Sequence, residues 1–217
     1  MGLIKEWRHA WEAVWHPSAA GKRKLSINGS LKYYYSIAIV GFILYVVLGA
    51  ISIWNGVAVH SYLSNMLDVR AGYPALFAYA ILFFFVLGPI GLFIDSALYQ
   101  IVGKYFLKEW KGDYSKTFTA VAFASTPAIF LAWFSFAPYI NGALLLLAGI
   151  WSLVVLVVTL SEQQKVTRTT AIAGVLVTAV LVILIFFVVA WMMLLVLVLP
   201  NTAMLNHVAG LTYPTIV

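Results

Sequence analysis

Asp95 is the one acidic residue within or bordering a long apolar run of this 217-residue chain. A carboxylate in that position is a candidate for proton or substrate handling, because its charge is expensive to hold in an apolar medium unless it is paired or used. Tyr99 and Gly103 follow at i+4 and i+8, with Ser96 and Gln100 alongside. On a helix, Asp95, Ser96, Tyr99 and Gln100 therefore form a polar stripe leading toward Lys104. At the inner edge of its run, Asp95 better suits a boundary role, in headgroup water or paired with a loop cation. Other chemistry is scarce. The chain has no cysteine, which removes disulfides, thiolate catalysis and Cys-ligated metals. His9, His16, His60 and His207 are scattered, with no HExxH or other ligand spacing. No GxSxG elbow, Walker loop or GxGxxG occurs either. The pattern argues against an enzyme and calls for no metal and no cofactor.

The elements that must position the stripe are set by composition. Hydrophobic residues make up 64% and charged residues 9% of the chain, against roughly 45–50% and about 25% in soluble domains. Mean hydropathy is +0.99. A soluble enzyme, a disordered tail and a disulfide scaffold are excluded, and an integral membrane protein is expected. The first long apolar run starts near Ser36, too deep for a cleavable signal peptide, so a retained N-terminus is expected. Five runs are long enough to cross a hydrocarbon core of about 20 helical residues: Ser36–Gly56, Ala75–Ile94, Phe118–Phe136, Tyr139–Leu160 and Thr170–Leu199. No period-two alternation suggests a barrel. The predicted fold is all-α: a polytopic bundle of five transmembrane helices (36–200) between an amphipathic N-terminal segment (1–35) and a C-terminal tail (201–217).

Charge orients the bundle. Alternate segments between the runs hold twelve of the thirteen Lys and Arg residues, leaving Arg70 alone on the other side. The positive-inside rule then places the N-terminus in the cytoplasm and the C-terminus outside. The net charge of +6 flanks apolar runs and forms no continuous stripe, which points to anionic lipid as partner and away from nucleic acid.

Individual segments have their own character. Trp7, Trp11 and Trp15 recur one turn apart with Leu3, Ile4 and Val14, opposite Lys5, Arg8, His9 and Glu12. Such a helix anchors in the inner membrane interface, with docking on the protein's own spans or on a partner as the alternative. Asn28-Gly29 suggests a turn, and Ser30 a cap for the first span. Pro89 and Pro127 fall inside the second and third runs at similar depth. Each frees a carbonyl that another group must satisfy, as a packing kink or, in matched pairs, at a transport site. The thirty-residue fifth run would span about 45 Å against about 30 Å of hydrocarbon. It either tilts or buries its end beyond Trp191 against protein, which makes Trp191, Met192 and Met193 a candidate contact for a membrane-protein partner or a second copy.

One family resemblance runs through the middle of the chain. It is carried by Ala97-Leu98-Tyr99-Gln100-Ile101-Val102-Gly103-Lys104, Tyr114-Ser115-Lys116-Thr117-Phe118 and Ala122-Phe123-Ala124-Ser125-Thr126-Pro127-Ala128. Trp151, the polar turn Ser161-Glu162-Gln163-Gln164 and the early Trp15-His16-Pro17 complete it. Together these resemble the Yip family of five-span membrane proteins, named after eukaryotic members that interact with Rab/Ypt GTPases. The resemblance implies a five-helix fold with a cytoplasmic N-terminus and a non-enzymatic role in organising membranes or membrane-protein assemblies. The N-terminal segment is short, at about 35 residues, and lacks the Asp-Leu-Tyr-Gly-Pro stretch of the eukaryotic members, so the chain resembles the short prokaryotic ones. That points to a prokaryotic cell membrane; no partner site carries over. The rival expectation is a small-solute or lipid carrier using the Asp95 stripe between the second and third helices.

Overall fold

A hydrocarbon medium offers no partner to an open backbone, so apolar runs of this length must close their hydrogen bonds within each segment. The computed structural model describes residues 2–54, 72–132 and 141–210, and all of its regular structure there is helical. His60, Arg70, the outer end of the third run and the tail beyond Gly210 lie outside the described residues. In chain order the helices are α1 (Gly2–Trp15), α2 (Pro17–Gly21), α3 (Ile27–Trp54), α4 (Gly72–Ile81), α5 (Gly88–Ile101), α6 (Tyr114–Leu131), α7 (Asn141–Gln164) and α8 (Arg168–Gly210). The wider π-helical turns Leu82–Leu87 and Val102–Phe106 join α4 to α5 and extend α5. Among the described residues, four stretches are long and apolar enough to cross a membrane: Ile27–Ile51, Tyr73–Phe106, Gly142–Gln164 and Arg168–Leu194. α6 opens on the polar residues Tyr114-Ser115-Lys116-Thr117, and the run predicted at Phe118–Phe136 passes beyond its described end.

Two compact units divide the chain, Met1–Val175 and Leu176–Val217. In the first, α6 is the central helix, buried from Thr117 through Ala124. Its small residues Ala120, Ala122 and Ala124 let neighbours approach closely. α3 runs parallel to it: Ser30 Oγ lies 2.8 Å from Thr119 Oγ1 and Tyr33 Oη 2.6 Å from Thr126 Oγ1. Gly41 meets Ile129 further along, where a Cβ would stand 2.6 Å from Ile129 Cγ2. α7 runs antiparallel, with Thr159 Oγ1 3.3 Å from Ala120 O and Gln164 Nε2 donating to Thr117 Oγ1 at 2.7 Å. By contrast, a Cβ at Gly91, Gly142 or Gly149 would meet nothing within 4 Å.

One local expectation is corrected. Ser30 does not cap the first span, and Asn28-Gly29 is no turn, because α3 already begins at Ile27. Ser26 stands before it and accepts the Gly29 N–H at 3.1 Å, the N3 donor of a standard cap. Ser30, one turn inside, is free to bond Thr119 instead.

The second unit is the continuation of α8. Its side chains are exposed around the whole circumference from Ile183 through Phe186 and Phe187 to Leu194. A helix apolar on every face is one built for lipid or for another protein. Forty-three residues make α8 about 64 Å long at ~1.5 Å per residue.

Candidate functional site

The densest polar chemistry in the first unit is a closed ring of uncharged groups where α5, α6 and α7 end or begin. Gln100 Nε2 donates to Gly112 O at 3.1 Å, and Gly112 N donates to Gln164 Oε1 at 2.7 Å. Gln164 Nε2 donates to Thr117 Oγ1, and Thr117 Oγ1 donates to Gln100 Oε1, which closes the ring. All four residues are buried. The chain reaches this geometry through its connection at 107–113. Leu107 N bonds Val102 O at 3.0 Å, Lys108 turns the backbone left-handed at φ 57, and Asp113 caps α6 through Lys116 N. Trp110 is the plug. Its ring lies so close to Gly103 that a Cβ there would stand 1.8 Å from Trp110 Cδ2, and its far edge meets Gly174 of α8, 3.0 Å from a Cβ there. Gly112 is similarly constrained, since a Cβ would fall 2.4 Å from Gln164 Oε1. The Trp110 indole N–H is buried without a hydrogen-bond partner among the described residues.

Chemically, this ring locks and does not react. Gln100, Thr117 and Gln164 do not titrate near neutral pH, and Thr117 has no base beside it to make it a nucleophile. Each amide and hydroxyl saturates its neighbours, which is the condition under which a buried polar network rigidifies a fold. Among the described residues no three His, Asp or Glu side chains gather as metal ligands.

The Asp95 stripe is divided between faces. Ser96 and Gln100 point into the protein, with Ser96 Oγ donating back to Leu92 O, whereas Tyr99 is half-buried and Asp95 is exposed. Among the described residues Asp95 has no ion-pair or hydrogen-bond partner. Of the four residues, Gln100 alone joins the ring.

The proline-bearing helices are served by consecutive tyrosines of α3. Gly88 N–H bonds Phe83 O in the i→i−5 pattern of the π-helical turn. The next bond in that pattern would run from residue 89 to Phe84 O, but Pro89 has no N–H. Tyr34 Oη donates to Phe84 O at 3.1 Å instead, and Gly88 makes the approach possible, since a Cβ would stand 1.8 Å from that oxygen. Tyr33, one residue earlier, pairs with Thr126 beside Pro127.

α1 lies against this bundle. Ala10 and Ala13 are fully buried, His9 pairs with Glu6 at 3.3 Å, and Glu12 pairs with Arg23. Trp7 meets Phe130 of α6 edge-on, with ring centroids 5.4 Å apart. Trp151 Nε1 of α7 donates to Val14 O at 3.0 Å. Extending the antiparallel register of α6 and α7 brings Phe130 opposite Trp151. From Trp7 to Val14, α1 therefore crosses the pair at one level, covering about 10 Å, the usual spacing between two packed helices. Trp11 and Trp15 look outward at 66% and 56% exposure, their rings 5.6 Å apart. Trp191, Met192 and Met193 are likewise exposed, in the second unit. What sequence reasoning missed is the packing role of Trp110, Gly112, Gly174 and Tyr34. Gly103 in the Asp95 series, followed by Trp110 and Gly112, was the available sign of a tightly packed turn.

Three of the four ring residues, Gln100, Thr117 and Gln164, and Trp151 of the α1 crossing come from the stretches that carry the family resemblance. No curated protein and no solved structure matches the chain. The family model described as the Yip1 domain matches residues 11–204. With that match covering nearly the whole chain, and with apolar helices long enough to cross a membrane, this integral, multi-pass membrane protein belongs to the Yip1 family.

Proposed function

We propose that the chain is a non-catalytic scaffold or accessory subunit of a membrane-protein assembly, built on five spans with the N-terminus in the cytoplasm and the C-terminus outside. A membrane-organising role is what its family and its apolar helices are consistent with. The observation that carries the finer reading is the spending of buried polar groups. Gln100, Thr117, Gln164 and Gly112 satisfy one another, and Tyr33 and Tyr34 serve neighbouring helices. Much of what is left outward is apolar, most of all on α8, and apolar surface suits lipid and protein partners.

Mild-detergent extraction followed by native mass analysis tests this reading. A stoichiometric protein partner or a homo-oligomer is expected, and cross-links from Trp191, Met192 and Met193 should map to it. A lone monomer under every gentle condition would overturn the subunit assignment. On the same reading, Asp95→Asn leaves assembly and folding unchanged. Loss of a solute or lipid flux in reconstituted vesicles with that variant would instead favour a carrier.

A further inference from the structure

We propose that the end of the bundle formed by the 107–113 connection is a binding site for a phospholipid headgroup that bears more than one phosphate charge, presented with Lys104, Lys108, Lys111, Lys165 and Arg168. These cations come from two separate stretches of sequence, 104–111 and 165–168, and the fold brings the stretches together. Trp110 seats the connection between Gly103 and Gly174, Gly112 bonds Gln164, and Glu109 accepts the Thr170 hydroxyl at 2.8 Å. Each of the five cations lies within two positions of one of those contacts. All five are exposed, and none forms an ion pair among the described residues. The acids nearby are Glu109, which accepts from Thr170, Asp113, which caps α6, and Glu162, which lies against Gly21 of α2.

Backbone conformation marks two of the five. Lys108 and Lys165, at φ 57 and 56, are the non-glycine residues with left-handed backbone among the described residues. Glycine adopts that conformation without strain and is the common choice where a helix ends. Lysine at both positions places two ammonium groups at the ends of the π-helical turn and of α7, on a connection whose neighbours are locked by the ring. Part of their benefit, and of that of Lys104 in the last turn of the same π-helical stretch, is to the helix carbonyls, but that accounts for neither Lys111 nor Arg168.

A lipid, in preference to a free phosphate, is favoured by what sits between the cations. Tyr105 and Phe106 follow Lys104 and are 72% and 61% exposed. Exposed aromatics beside cations at the end of an apolar helix match the boundary between acyl chains and headgroups. Set against the three nearby carboxylates, the five cations are in excess by two, more than one singly charged phosphodiester balances, so a headgroup with several charges fits better.

The test is lipid retention by the full, purified and delipidated chain, read by native mass spectrometry. The probes are a bis-phosphate lipid such as cardiolipin, phosphatidylglycerol and phosphatidylcholine. The bis-phosphate lipid should be retained most strongly and phosphatidylcholine least. Lys111→Gln and Arg168→Gln, whose side chains make no bond among the described residues, should each weaken retention on the order of fivefold. Adding Lys108→Gln should bring retention toward that of phosphatidylglycerol, with the unfolding temperature unchanged. Lys22→Gln with Lys24→Gln, exposed on the α2–α3 connection, should have little effect. Equal retention of the two anionic lipids would overturn the proposal. So would unchanged retention in the Lys111 and Arg168 variants, or an equal loss in the Lys22 and Lys24 control. Displacement of the lipid by millimolar pyrophosphate would overturn it too, reassigning the site to a free phosphate.

Discussion

Where Pro89 withholds an amide, Tyr34 of a neighbouring helix donates to Phe84 O, and the bond depends on Gly88 having no side chain. Tyr34→Phe keeps the ring and removes the donor, so Phe84 O is left buried without its partner. The expected loss is about 1–2 kcal/mol, at the level measured for interhelical hydrogen bonds in membranes, and thermal unfolding in detergent would show it. Gly103→Ala should cost more, because its methyl would overlap ring atoms of Trp110 at 1.8 Å and not the end of a flexible chain. An unfolding temperature within error of wild type would contradict the close packing described for that turn. At this scale the sequence was legible in part. Proline told that a carbonyl would be freed, and the Asp95 series told that Gln100 lay on a helix face. Neither told which partner would arrive, because Tyr34 and Gln164 come from elements distant in sequence from the groups they satisfy.

At the scale of elements, α1 shows why periodicity leaves the direction of a helix open. Tryptophans at one-turn spacing define an apolar face whether that face meets protein or lipid. In the fold the small residues Ala10 and Ala13 turn inward together with His9, and Trp11 and Trp15 turn out. This arrangement docks the helix on α6 and α7 and leaves the Trp11 and Trp15 rings uncovered. Brominated lipids quench tryptophan on contact. In vesicles containing them, Trp11→Phe with Trp15→Phe should remove a large part of the quenchable emission, and Trp7→Phe, whose ring is packed on Phe130, a smaller part. Equal losses would mean that α1 leaves the bundle when the protein is in a bilayer. Helices themselves were the most legible feature, since runs of about twenty apolar residues admit no other satisfied backbone. Their boundaries were less so: the first begins at Ile27, well before its apolar run, because Ser26 caps it and α6 buries its polar first turns.

For the whole molecule, the uneven distribution of Lys and Arg is the basis of the proposed orientation. Because the chain has no cysteine, single cysteines give a clean topology test. Lys24→Cys and Thr167→Cys should react from the cytoplasmic side, and Val59→Cys and Thr215→Cys from the other, if five spans are crossed. Labelling of Thr215→Cys from the same side as Lys24→Cys would mean an even number of spans. The crossing of α1 over α6 and α7 also bears on how the protein is made. Val14 is held by Trp151, 137 residues later, and Arg23 by Gln163, 140 residues later. At about 5–20 residues per second, roughly 7–30 s pass between synthesis of the first helix and arrival of the groups that receive it. Through that interval the part of α1 that meets α7 waits without its partner. Complete seating of α1 therefore reports that translation has passed the fourth apolar run, and a chain halted before α7 would present an incompletely seated α1 for a membrane chaperone or protease to find.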